Sequence, residues 1–204
     1  MNHDKPSRLP LYAFVVFVCV MYAAPADAHL NSTGMGPFYD GLMHFLLSPE
    51  DIVPVFALAL LAGLRGAAYG RRALFVLPTA WLTGGCLGLT AAAANPHPLV
   101  AAAWFLLLGI LLAADAKLSL RVVTALAALL GIYHGYLNGT GMGQSPSVAV
   151  VLLGLAFAVF VLIALAAAFV VRLHAHWARI AVRVAGSWIA ASGLLMLGWA
   201  VRTR

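Results

Sequence analysis

Eight side chains in this sequence have the types and spacing to handle a transition-metal cation: His29, Met35, Asp40, His44, Glu50, Asp51, His134 and Met142. Asp40 and His44 are four residues apart, so a helix through them presents a carboxylate and an imidazole on one face. An interfacial ion pair is the plainer use of the same spacing. Glu50 and Asp51 follow Ser48-Pro49. They can offer oxygens to an ion, or they can complement the positive end of a helix dipole. His134 stands between Gly131 and Gly135 in an apolar run, where an ionisable group is costly enough to suggest function. His29 follows Ala26-Asp27-Ala28. Cleavage there would leave a terminal amine and an imidazole on one residue. Their ordinary pKa values, about 8 and about 6.5, make both neutral donors near pH 7.

Met35 and Met142 occupy the same place in two copies of one heptapeptide, LNSTGMG at 30–36 and LNGTGMG at 137–143. Thioether sulfur suits Cu(I), and glycines let backbone approach closely. Turns shaped by Asn and Gly are the ordinary alternative. The glycosylation sequons at Asn31 and Asn138 read as incidental. His174 and His176 read as solvated, and His97 and Asp115 as loop residues. No G-x-S-x-G, phosphate loop or H-E-x-x-H occurs, and no nucleophile stands with a base, so an enzyme is not expected.

The elements that must position these groups are apolar. The 204 residues are 64% hydrophobic and 9% charged, with a mean hydropathy of +0.99. A soluble domain carries about 25% charged residues, so the composition points to an all-α, polytopic membrane helix bundle rather than a nucleic-acid binder. Residues 1–28 read as a secretory signal peptide: Lys5 and Arg8, an apolar stretch from Leu9 to Ala24, then the A-x-A site. Removing it takes Cys19 and leaves Cys86 as a single thiol, read as a small packing residue. Six transmembrane helices are expected within 29–204, at 49–65, 73–94, 98–114, 119–137, 147–171 and 178–201, with outer-face loops at 29–40 and 138–146. Ser48 is placed to N-cap the first of them. Pro37 to Leu47 reads as a half-helix leading into it.

Charge sets the orientation. Arg65, Arg71, Arg72, Lys117, Arg121, Arg172, Arg179 and Arg183 fall in alternate connections, and the intervening connections have no Lys or Arg. The basic loops are therefore expected in the cytoplasm and both copies of the heptapeptide on the outer side. Arg202 and Arg204 run against this pattern.

These features resemble the HupE/UreJ family, membrane proteins associated with hydrogenase and urease gene clusters and regarded as nickel or cobalt permeases. Its members have a cleaved signal followed by a mature N-terminal histidine, here Ala28-His29. They carry an H-P-x-x-G-x-D-H stretch, matched in position by HFLLSPED at 44–51, and an H-G-x-A-H-G-x-E stretch, matched by HGYLNGTG at 134–141. His44, His134 and Gly135 keep the pattern. Phe45, Ser48, Glu50 and Asp51 depart from it in the first motif, and Asn138 and Gly141 in the second. The resemblance implies an inner-membrane permease with a periplasmic mature N-terminus. Its cargo would be a divalent nickel or cobalt ion, or copper where the methionines act. No tightly bound cofactor is implied. The other reading is a non-transporting accessory subunit docked on a membrane or periplasmic metalloenzyme complex. Lipid is the remaining expected partner.

Overall fold

The computed structural model describes residues 33–91, 97–142 and 147–202, and these form seven α-helices. They are α1 (Pro37–Leu47), α2 (Pro49–Arg65), α3 (Ala67–Leu89), α4 (Pro98–Ala113), α5 (Leu120–Gly141), α6 (Val148–Val171) and α7 (His176–Arg202). Four of them, α3, α5, α6 and α7, are long and apolar enough to cross a bilayer. A fifth crossing can be made by α1 and α2 together, which meet at a 76° bend; α4 is a shorter apolar helix. The proposed signal at 1–28 and His29 lie outside the described residues.

Glycine lets three helix pairs pack with their backbones nearly in touch. Gly131, Gly135 and Gly139 of α5 follow one another at the four-residue spacing that lines one helix face. A Cβ on Gly135 would overlap the Trp81 carbonyl of α3, and one on Gly139 would overlap the Gly85 carbonyl. Gly84 and Gly88 of α3 face α5 in the same way. Gly41 of α1 and Gly154 of α6 make a second such pair, and Gly109 of α4 with Gly186 and Gly193 of α7 a third. Small residues that allow backbones to approach are the usual means of association where lipid removes the hydrophobic drive between helices. Helix α6 is the most covered span and α7 the least, with 44% and 17% of their apolar windows buried. The outer faces present large apolar side chains such as Phe75, Leu129, Leu165, Phe169 and Trp188, as a lipid-facing surface requires.

All the described Lys and Arg residues but Arg202, at the far end of α7, fall at one end of the bundle, and Asp115 draws two of them together. Asp115 lies just beyond α4 with φ 49, a left-handed conformation that costs any residue with a Cβ. Its carboxylate accepts from Arg65 at the end of α2 and pairs with Arg179 of α7 at 3.7 Å. Arg183 Nε donates to the Ala113 carbonyl at 2.9 Å. Asp115, read from sequence as a simple loop residue, therefore ties three helices. Asp115→Ala is expected to lower stability by about 2 kcal/mol, the scale of a hydrogen bond to a charged group. Thermal unfolding in detergent measures it, and an unchanged midpoint would remove the clamp from the account.

Three further sequence expectations are revised. Ser48 occupies the N-cap position of α2, yet its hydroxyl makes no cap bond there. It donates back to the His44 carbonyl at 2.7 Å and so stitches the bend. Cys86 is exposed on α3 rather than packed inside. The two heptapeptide copies also differ in structure. Residues 33–36 are non-helical, with Gly34 and Gly36 at φ 74 and 103. The second copy continues α5 through Gly141, because Gly139 is held against the Gly85 backbone and the helix has a partner to follow. The expected loop thus loses 138–141 to helix, and 143–146 fall outside the described residues.

Candidate metal site

The bend between α1 and α2 turns the first turn of α2 toward α5. Asp51 sits in that turn with its side chain 6% exposed, and His134 of α5 faces it at 4%. His134 Nδ1 is 2.7 Å from Asp51 Oδ1. One helical turn further along α5, Asn138 donates from Nδ2 to Asp51 Oδ2 at 3.0 Å and to the His134 carbonyl at 2.9 Å. Its Oδ1 lies 2.8 Å from Nε2 of His44 in α1. A continuous polar chain, His44–Asn138–Asp51–His134, therefore joins three helices inside an apolar bundle. Its position is near the end opposite the basic cluster: His134 precedes the end of α5 by seven residues, roughly 10 Å of helix.

Aromatic rings close the chain on the other side. Trp81, fully buried, stacks on His134 with centroids 5.6 Å apart and planes at 24°. Phe45 meets the Trp81 ring edge-on at 5.9 Å, and Tyr133 meets His134 edge-on at 5.1 Å. His134 Nε2, Trp81 Nε1 and Tyr133 Oη are buried atoms without a hydrogen-bond partner among the described residues. Buried polar groups are nearly always satisfied, so each orphan asks for a cause. The three belong to His134 and to the two aromatic residues packed against its ring.

The sequence candidates separate clearly. Asp51, His134 and His44 come together. Asp40 does not join them: Thr33 donates to its Oδ1 from the backbone nitrogen at 2.6 Å and from the hydroxyl at 2.7 Å. Asp40 thus anchors the non-helical segment ahead of α1. Glu50, next to Asp51, points outward and is exposed. Met35 is 62% exposed, whereas Met142 is buried at the end of α5. Among the described residues no three His, Cys, Asp or Glu side chains are grouped to hold one ion. Asn138 is the member that sequence reasoning passed over. The sequence presents it as an incidental sequon and as a departure from the family's second motif, although its place four residues after His134 puts both on one face of α5. Trp81 carried no signal beyond being a large apolar residue.

Residues 17–196 match the family described as HupE / UreJ protein. The chain belongs to this family. No curated protein and no solved structure matches it. HupE/UreJ proteins are associated with nickel or cobalt uptake and with accessory roles to urease and hydrogenase, which agrees with a bundle of bilayer-compatible helices. In this member, the two stretches that resemble the family's histidine motifs, 44–51 and 134–141, supply all four residues of the polar chain.

Proposed function

We propose that this HupE/UreJ member is a transition-metal ion permease of the bacterial inner membrane, with nickel or cobalt as its cargo and copper as the variant that its methionines would favour. The observation that carries the reading is the His44–Asn138–Asp51–His134 chain at the break between α1 and α2, with His44 half-buried and the other three buried. Transporters commonly place ion sites at discontinuous helices near the bilayer interior, and irregular backbone there is tolerated only in protein or along a cavity. Imidazole nitrogen with carboxylate and amide oxygen suits borderline divalent ions.

In this reading the bent pair α1–α2 is one crossing and α3 to α7 are five more, making six. Helix α4, with 16 residues, spans roughly 24 Å and would cross a thinned bilayer. The basic end faces the cytoplasm and His134 lies toward the periplasm. A mature His29 would capture the ion first. Asp51 and the two histidines would then pass it inward. The test is metal retention by the purified, signal-cleaved protein in detergent, offered Ni, Co, Zn and Cu in turn by equilibrium dialysis. One metal should be held stoichiometrically by the wild type and lost from a His44→Ala, His134→Ala variant. Equal retention by both would overturn the assignment of these residues.

The absence of a three-ligand group among the described residues favours a second reading, an accessory subunit docked on a metalloenzyme complex. It predicts stable co-purification with a larger complex and no metal retained.

A further inference from the structure

The hydrogen bonds of the polar chain have a direction, and it can be read from chemistry. An ionised carboxylate only accepts, so Asn138 must turn its amide nitrogen to Asp51, as it does. Its oxygen is then left for His44, and His44 Nε2 must carry a proton to meet it at 2.8 Å. On the other side, Asp51 Oδ1 accepts from His134, so His134 carries its proton on Nδ1. His134 Nε2 is buried with no partner. A proton there would leave a charged N–H without an acceptor, at more cost than a bare lone pair.

We propose that Asp51, with Asn138 as relay, holds the two histidines in opposite tautomers, so that His134 presents a bare Nε2 lone pair to an incoming cation while His44 keeps Nε2 on Asn138 and carries its lone pair on Nδ1. In the metal-free chain Asp51 is thus a positioning residue for His134, with both of its oxygens engaged. Carboxylates that hold one ring nitrogen of a histidine fix its tautomer and raise the basicity of the other nitrogen. The inference rests on the permease reading for its use, since the cation is the cargo. Its geometry stands without that reading.

The substitution Asp51→Asn tests the direction of the chain. A carboxylate accepts on both oxygens, whereas an amide accepts on one and donates on the other. With asparagine at 51, either His134 must accept from it or Asn138 must turn over and donate to His44. One of the two rings therefore inverts, and not both.

The experiment is nitrogen NMR of metal-free, histidine-labelled protein in detergent at a pH of about 8, above the imidazole range. The His44 and His134 signals are assigned by their loss in His44→Ala and His134→Ala. The wild type is expected to show His134 protonated on Nδ1 and His44 on Nε2, and Asp51→Asn to show one of the two reversed. Where His134 is the ring that inverts, metal retention should fall about 10- to 100-fold, the usual effect of losing the group behind a ligating histidine. A wild-type His134 protonated on Nε2, or an Asp51→Asn spectrum with neither or both rings reversed, would overturn the inference. If Asp51→Asn does not fold, the wild-type spectrum alone decides. Failure to retain any metal would sink the permease reading and leave the tautomers standing, so the two failures are distinct.

Discussion

Asp51→Ala is expected to be among the most destabilising single changes in the bundle, and its neighbour Glu50→Ala among the least. Asp51 is buried and accepts from His134 and Asn138; Glu50 is exposed. Removing Asp51 leaves a buried imidazole N–H and a buried amide N–H without the acceptors they have now. Each buried donor left unsatisfied costs about 1–3 kcal/mol. An exposed substitution stays within about 0.5 kcal/mol. Thermal or denaturant unfolding of the two variants in the same detergent gives the comparison. The prediction is a large loss for Asp51→Ala and a curve for Glu50→Ala that overlays the wild type. Similar curves for the two would mean that the polar chain does not tie α1, α2 and α5 together.

Gly135→Leu is the second large effect. A Cβ at this position overlaps the backbone of Trp81. Backbone cannot rotate away as a side chain can, so α3 and α5 must separate. Overpacking costs about 1–3 kcal/mol when side chains can give, and more is expected here. The site suffers as well, because the Trp81 ring that stacks on His134 rides on the same stretch of α3. Gly141→Leu on the same helix is the control, since nothing lies within 4 Å of a Cβ placed there. The expected result is a lower unfolding midpoint and loss of metal retention for Gly135→Leu, with Gly141→Leu close to wild type on both. A Gly135→Leu protein that melts and binds like the control would show that the close contact is dispensable.

The helices were legible where apolar length decides them. α2 runs over 49–65 as expected, and α4, α6 and α7 fall within two residues of their sequence bounds. α3 does not, starting at Ala67 where 73 was expected. Arg71 and Arg72 were read as loop because charge marks loops, yet at the end of a bundle they sit on an exposed helical turn. The second heptapeptide was misplaced for a related reason. Asn, Gly and Thr weaken a helix in isolation, but Gly139 has the α3 backbone to pack on, and packing outweighs propensity. Of the site, His44, Asp51 and His134 were visible as costly residues in apolar surroundings. Which carboxylate of the adjacent pair turns inward was not visible, because it depends on the 76° bend at Ser48. The role of Asn138 lies in a contact with His44, 94 residues away in sequence, that no local pattern records.

The central claim is transport, and flux through the isolated protein tests it most directly. Purified protein would be reconstituted into sealed liposomes enclosing a metal-responsive fluorescent chelator, with Ni, Co, Zn or Cu added outside. The account predicts that one of these ions enters the wild-type vesicles at a saturable rate and that His134→Ala vesicles match protein-free ones. Folded wild-type protein that admits none of them faster than empty liposomes, or a His134→Ala protein that transports normally, would contradict it.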